Sequence, residues 1–512
     1  MKQDSFDVVI VGSGPVGSTV ARTLSDEASG LRVLLVEAGP LVTDPPGRHV
    51  KTLADPAAVE RAQRLSQAGR PTTAPPPGAI AARPGTYLVG DGKVAPDGTG
   101  LPAAAMSKNV GGMGAHWTCA CPVPGDGERI PWIPRPDFDQ VFDDAWRLLH
   151  VTQEAFEGWP LGAEVRAALR GALDPSVPAD RQVQPMPLAI RVAHGDRYWT
   201  GTDVILGDAV TSGSVELRAE TTATRIERDG DRVFGLTLRD RDGRESTVKT
   251  RAVFVAADSF RTPQLLHASG IRPSALGRYL NDHLQVMALA RLDDSLIPDT
   301  VRTESPRTEG TLELFSGVNW IPYDQERSPF HGQIMQMDAS PVPIENVTET
   351  WPGSIVGIGL FGCKEIRPED RVTFDDSNLD ESGLPAIGIE YALTETDRAT
   401  IADMQRAAGR LADALGGLVE GQSPTALPNG NSLHYMGTVR MGAADDGASV
   451  CDPFGRVWGT QGLYVGGNGV IPTPTACNPT ATSVALAIRS ARALIDDMRQ
   501  LGVPTKENPI AT

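Results

Sequence analysis

An α/β fold in two interleaved parts is predicted by three observations. The N-terminal stretch "DVVIVGSGPVGSTVARTLSDEASGLRVLLVEAG" reads as strand, glycine turn, helix and a second strand ending at Glu37. Two further apolar runs, "AVFVAA" and "GLYVGGNGVIP", return to the same buried-strand style far downstream. Just ahead of the first of them lie short β-branched runs broken by "DGD" and "RDGRE", which are hairpin signals. A Rossmann-like nucleotide domain assembled from distant segments is therefore interrupted by an α+β domain containing an antiparallel sheet.

Each element follows from its local pattern. A chain of 512 residues exceeds what one core serves, since single cores stop growing at about 250 to 300 residues. The expected division is 1–150, 201–290 and 426–512 for the nucleotide domain, with 151–200 and 291–425 for the inserted one. Regular patterning lapses from about 41 to 100, and "RPTTAPPPGAIAARPG" is read as an extended loop, either an oligomerisation arm or a lid. "HGQIMQMD", "GSIVGIGLFG", "RVTFDD" and "AIGIEYAL" are expected to be strands of a second sheet. Ile401, Met404, Ala408, Leu411 and Leu415 recur at helical spacing behind Thr394 and Asp397, a capping-box register. "TATSVALAIRSARALIDDMRQLG" is a second long helix, with Val484, Ile488, Ala491 and Ile495 on one face. No internal repeat is found.

Charge narrows the partners. A net charge of -17 repels phosphate backbones and anionic lipid, which argues against nucleic acid and membrane and favours a neutral or cationic substrate. The strand-like "FDVVIVG" begins at Phe6, leaving no room for a leader, and the expected location is cytoplasmic. Five scattered cysteines make reduced thiols the default, and the C-x-C pair Cys119 and Cys121 lacks the second pair that zinc requires. No metal is expected.

The run "GSGPVG" sits between a strand and a helix, the context in which it binds a dinucleotide. Gly12 permits the tight turn, Gly14 lets backbone approach a pyrophosphate, and Gly17 lets helix and strand pack closely. Glu37, 25 residues past Gly12, is placed to accept hydrogen bonds from a ribose. The fingerprint leaves NAD and FAD equally open.

Six motifs, in order, resolve that choice by resemblance: "GSGPVG", "VGGMGAHWTC", "VFVAADSFRTPQLLHASGI", "LNDH", "HYMGTVRMG" and "LYVGGNGVIPTPTACNPTATSVALA". With them the chain resembles the glucose-methanol-choline (GMC) oxidoreductases, flavoproteins with a Rossmann-like FAD-binding domain. "GGM" before "HWTCA", and "ACNPT", resemble the pyranose oxidases and related bacterial glycoside 3-oxidases within it. The resemblance implies FAD contacts at Gly12, Gly14, Pro15, Val16, Gly17, Glu37 and Ala38. It implies others at Gly111, Gly112, Gly114, Ala115, His116, Trp117 and Thr118, at Ala257, and at Gly467, Asn468, Asn478, Pro479 and Thr480. The "GGMG" run is read as backbone lying against the flat ring. In fungal relatives the histidine matching His116 carries FAD covalently; Gly114 and Ala115 stand here where those enzymes have hydroxyl residues, and a non-covalent cofactor is expected.

The resemblance also assigns the chemistry. Oxidising an alcohol removes a proton from oxygen and a hydride from carbon; flavin N5 accepts the hydride, and His434 accepts the proton. Asn478 hydrogen-bonds the same hydroxyl and stays neutral at every pH. His283 of "LNDH" is given a supporting role near the cofactor, Arg440 and Arg456 are read as solvated or ion-paired, and Trp351 as a loop anchor. The implied reaction is oxidation of a secondary ring hydroxyl of a pyranose or glycoside, at C3 or at C2, with O2 reduced to H2O2. A sugar dehydrogenase using a quinone, a flavin-containing lyase without redox turnover and a nicotinamide dehydrogenase are the alternatives.

Overall fold

The computed structural model describes residues 4–68, 79–159, 161–173, 177–302, 317–337, 351 and 353–505. Its nucleotide domain is built on a five-stranded parallel sheet in the order Leu463–Val465, Ala252–Val255, Val8–Val11, Val33–Val36 and Val215–Arg218. The four-residue strands Val8–Val11, Val33–Val36 and Ala252–Val255 are buried throughout, as expected of a sheet covered on both faces. Helices Pro15–Glu27 and Thr480–Gln500 pack together on it, sharing a core with Ile10, Leu35, Phe254, Leu494 and Ile495. The chain's two ends thereby meet on one sheet.

Hairpin signals form the antiparallel ribbon Thr221–Asp229, Arg232–Asp240 and Glu245–Lys249, which returns the chain to strand Ala252–Val255 of the parallel sheet. A six-stranded antiparallel sheet follows in the order Thr425–Ala426, Leu284–Arg291, Ile355–Gly362, His331–Met337, Gly317–Ile321 and Gln184–Pro185. Helix Glu395–Leu415 covers it with Met404, Ala408, Leu411 and Leu415 buried, while Ile401 packs at the margin. Its first turn carries the expected capping box, with Thr394 accepting from the Asp397 amide and Asp397 accepting from that of Thr394.

Strand Leu284–Arg291, inside the 201–290 segment expected of the nucleotide domain, pairs in the six-stranded sheet. Two expectations are corrected. Arg371–Leu379 and Pro385–Glu390 form a separate two-stranded sheet, because their apolar side chains Val372, Phe374, Ile387 and Ile389 pack into another core cluster with Tyr87, Phe260 and Tyr435. The stretch from 41 to 100 is not irregular throughout: helix Pro56–Ser66 starts at an Asp55 cap. Only Ala62 and Ser66 of that helix are buried, so it carries no apolar stripe for a periodicity argument to find. Of the proline-rich arm, 69–78 lie outside the described residues.

Among the described residues no helix is long and apolar enough to cross a membrane, and no cluster of His, Cys, Asp or Glu fits a metal ion. All five cysteines are free thiols.

Candidate active site

A cleft of about 450 Å³ is lined by the glycine turn of the parallel sheet and by His434 and Asn478. Its glycines divide the labour as the fingerprint predicts. Gly12 has φ +97°, and a Cβ there would stand 2.4 Å from the Ala256 carbonyl oxygen. At Gly17 a Cβ would fall 1.8 Å from the Gly12 oxygen, so this glycine serves helix packing and does not line the cleft. A Cβ on Gly14 would meet nothing within 4 Å, because that position opens on the cleft. Helix Pro15–Glu27 has no side-chain cap, which leaves its first N–H groups as donors for an anion.

Glu37 and Ala38 line the same cleft. The Glu37 carboxylate accepts from the Ser13 amide at 3.0 Å, the Ser13 hydroxyl at 2.8 Å and the Gly39 amide at 2.9 Å. Burial raises its pKa against those donors. A fixed carboxylate, an uncapped helix and a glycine whose missing Cβ leaves room are the parts that hold ribose and pyrophosphate, so these residues fit a dinucleotide cofactor.

The "GGMGAHWT" segment lines the cleft in part. Gly112, His116, Trp117 and Thr118 face it, as do Pro15 and Val16. Gly111, Gly114 and Ala115 lie behind, which corrects the reading of the whole run as backbone against the ring. A Cβ on Gly114 would stand 2.8 Å from Thr202 Cγ2 and 3.0 Å from Pro15 Cγ, and one on Gly111 would stand 2.9 Å from Thr202 Oγ1. These glycines admit the neighbouring chain. Trp117 is tied from two sides, donating to the Thr200 carbonyl at 2.8 Å and accepting from buried His49 Nε2 at 2.8 Å. His49 Nδ1 accepts from the Lys51 amide, which fixes the proton on Nε2, and burial pushes its pKa down to about 3. The sequence reading passed over His49. His116 pairs Nε2 with Ser66 Oγ at 3.0 Å, and burial lowers it to about 4.

Ala257, Gly467, Asn468 and Thr480 complete this wall, Asn468 accepting from Ser483 Oγ at 2.6 Å. Pro479 is the residue before helix Thr480–Gln500 and is not part of the lining.

In the cleft His434 Nε2 and Asn478 Nδ2 lie 3.1 Å apart, and both residues line it. They come from different elements: His434 from the loop after Thr425–Ala426, Asn478 from the turn before the last helix. Each is held from behind. Gln333 Nε2 donates to Asn478 Oδ1 at 2.6 Å, which turns the asparagine amide toward the histidine. Gln333 was missed, although its alternation with His331 inside an apolar strand places two polar side chains on one face of the sheet. The amides of Ala476 and Cys477 donate to the buried Glu128 carboxylate at 2.6 and 2.9 Å, and the Gly125 amide donates to its other oxygen. Glu128 thereby anchors the turn that carries Asn478.

Glu128→Ala leaves those amides without their acceptor. The expected result is a loss of about 3 kcal/mol in urea unfolding, together with slower turnover. Unchanged stability would show that the turn holds itself.

Arg456 is ion-paired with Asp452 and Asp497, as expected, and Trp351 packs on the core of the second sheet. Arg440 is neither solvated nor ion-paired among the described residues: it is half-buried over Tyr279 and donates to the Pro472 carbonyl. Residues 345–350, which precede Trp351 in "ENVTETWPG", lie outside the described residues.

The chain matches GMC oxidoreductase models over residues 127–285 and 368–487. It is 49% identical to a C-glycoside 3-oxidase of Arthrobacter globiformis over 96% of each chain. It is 31% identical to a pyranose 2-oxidase of Tricholoma matsutake, over 96% of this chain and 93% of that one. Its fold resembles that of a formate oxidase variant of Aspergillus oryzae, with a TM-score of 0.65 at 18% identity over 98% of this chain and all of the other. Two family models, and an open glycine turn and a histidine–asparagine pair lining one cleft, converge: the chain belongs to the glucose-methanol-choline oxidoreductase family, whose members bind FAD.

Proposed function

We propose that this protein oxidises a secondary ring hydroxyl of a glycoside to the ketone, at C3, with His434 as general base and Asn478 as hydrogen-bond partner of the reacting oxygen. The observation that carries it is the 3.1 Å approach of His434 Nε2 to Asn478 Nδ2 inside the cleft that also holds Gly14 and Glu37. FAD held by Gly14 and Glu37 in this cleft would supply the two-electron acceptor, with O2 as the final oxidant and H2O2 as its product. A hydroxyl placed between the two side chains gives its proton to Nε2, while the asparagine N–H stabilises the charge growing on oxygen. C3 is preferred to C2 because the C-glycoside 3-oxidase relative is far more similar than the pyranose 2-oxidase, at 49% against 31% identity. The six-stranded sheet, which supplies Gln333 behind Asn478, is assigned as the substrate-side domain.

A dissociable cofactor is part of this reading. His116 Nε2 is engaged by Ser66, and its Nδ1 lies against Gly85, where even a Cβ would stand 2.6 Å from it. Acid precipitation should release the yellow colour into the supernatant; colour retained in the pellet would mean a covalent link.

Burial pushes His434 down to about 3, and an uncharged ring filling the cleft adds to that desolvation. The base is thus already neutral across the working range, since a histidine with a lowered pKa is protonated only below that value. The rate of cofactor reduction should show no break from His434 between about pH 5 and 8. Stopped-flow rates falling below a pKa near 6.5 would contradict this.

The regiochemistry is tested by supplying a glucosyl C-glycoside in air, following O2 and peroxide, and locating the carbonyl by NMR. One equivalent of H2O2 per 3-keto product supports the proposal. A 2-keto product would overturn the C3 assignment, and ketone formed without peroxide would assign the electrons to a quinone-type acceptor.

A further inference from the structure

We propose that His283 is a positioning residue that fixes the tautomer of His434, leaving Nε2 as the proton acceptor. The inference rests on His434 being the base.

The proton positions follow from the hydrogen bonds in sequence. Asn478 is oriented by Gln333, which donates to its Oδ1, so the amide presents only N–H donors to His434 Nε2. That nitrogen must then accept. A neutral imidazole whose Nε2 accepts carries its proton on Nδ1. His434 Nδ1 lies 3.0 Å from His283 Nδ1, so it donates and the His283 nitrogen accepts. His283 then bears its own proton on Nε2, which lies 3.2 Å from Thr475 Oγ1. Every ring nitrogen of the pair has one partner and one role.

The same motif fixes the histidine's backbone. Asn281 exchanges backbone hydrogen bonds with Met436, and the His434 amide donates to buried Asp282 at 3.0 Å. Ser432 Oγ donates to that carboxylate as well. Between them Leu433 takes φ +63°, a conformation that a leucine keeps only when its surroundings over-determine it. "LNDH" is thus a three-residue clamp, with Asn281 and Asp282 holding the main chain and His283 the ring.

The consequence is chemical. Without an acceptor at Nδ1, only the Asn478 contact would favour this tautomer, and a share of His434 would carry its proton on Nε2, where it cannot take one from a substrate hydroxyl. After transfer, the Nδ1–H of the cation still donates to a neutral imidazole. His283 is itself buried and uncharged, its pKa held well below the ordinary value by burial and by His434 and His331. The other charged and titratable groups around His434 are His331 and Arg83, both of which lower its pKa, and Asp282 beneath its amide.

The test compares His283→Leu, which removes the acceptor, with His283→Asn, whose side-chain oxygen restores one. Histidine-selective ¹⁵N NMR of the holoprotein, with the His434 signals assigned by their loss in His434→Ala, reads the tautomer directly. The proposal expects Nδ1–H in the wild type and in the Asn variant, and a mixture in the Leu variant. It expects cofactor reduction about 10- to 100-fold slower in Leu, at least tenfold of any larger loss recovered in Asn, and a pH profile unchanged in shape. His283→Leu placed in the His434→Ala background should have no further effect on the rate. A wild-type His434 protonated on Nε2 overturns the proposal, as does a Leu variant with wild-type tautomer and rate, or an Asn variant as slow as Leu. The failure of His434 as base is separable: His434→Ala would then reduce at the wild-type rate, whatever the NMR reports of its tautomer.

Discussion

His434→Ala is expected to slow reduction of the bound cofactor by a sugar by about 10² to 10⁴-fold while the protein stays folded and yellow. The magnitude is that of a positioned general base. The retention of colour follows from the contacts: Glu37 is held by Ser13 and Gly39 and not by His434, whose own hydrogen bonds run to Asn478, His283, Asp282 and Ser432. Removing the imidazole also releases Asn478 from one contact, but Gln333 and the Glu128-anchored turn still hold it. Stopped-flow reduction under anaerobic conditions measures the effect. A rate within threefold of wild type would return His434 to the role of an ordinary packed histidine.

The second large effect separates two glycines of one motif. Gly14→Val should yield a folded, colourless protein with FAD affinity lower by at least about 10², equivalent to ~2.7 kcal/mol. A Cβ at Gly14 meets no protein atom, so the new side chain projects into the space where backbone and pyrophosphate approach. Gly17→Ala should act on the fold, since its Cβ would stand 1.8 Å from the Gly12 oxygen and helix Pro15–Glu27 would have to lift off the strand. Apo-protein unfolding midpoints and FAD titrations, run side by side, distinguish the two. A Gly14→Val protein that binds FAD normally would remove the dinucleotide reading of this turn.

These sites differ in how far the sequence exposes them. The parallel sheet is legible because fully buried strands are written as continuous apolar runs, and the long helices because their stripes recur every turn. Helix Pro56–Ser66 is hidden, since an exposed helix needs no stripe. In the cleft, Gly12, Gly14 and Gly17 are legible one by one, each having a steric duty that spacing reveals. Gly111 and Gly114 are not: a glycine against a ring and one against Thr202 look alike in sequence. His434 and Asn478 are visible as motifs, but nothing local joins residues 44 apart, and only the fold shows them 3.1 Å from each other. The groups behind them, Gln333, His283 and Glu128, and His49 behind Trp117, come from four distant segments and act through hydrogen bonds that no periodicity encodes.

The most direct measurement is the visible spectrum of the purified protein without oxygen, before and after adding a glucosyl C-glycoside, with air readmitted at the end. An FAD spectrum that is bleached by the glycoside and restored by air is the expected result. A yellow protein that neither C-glycosides nor free sugars bleach would contradict the account.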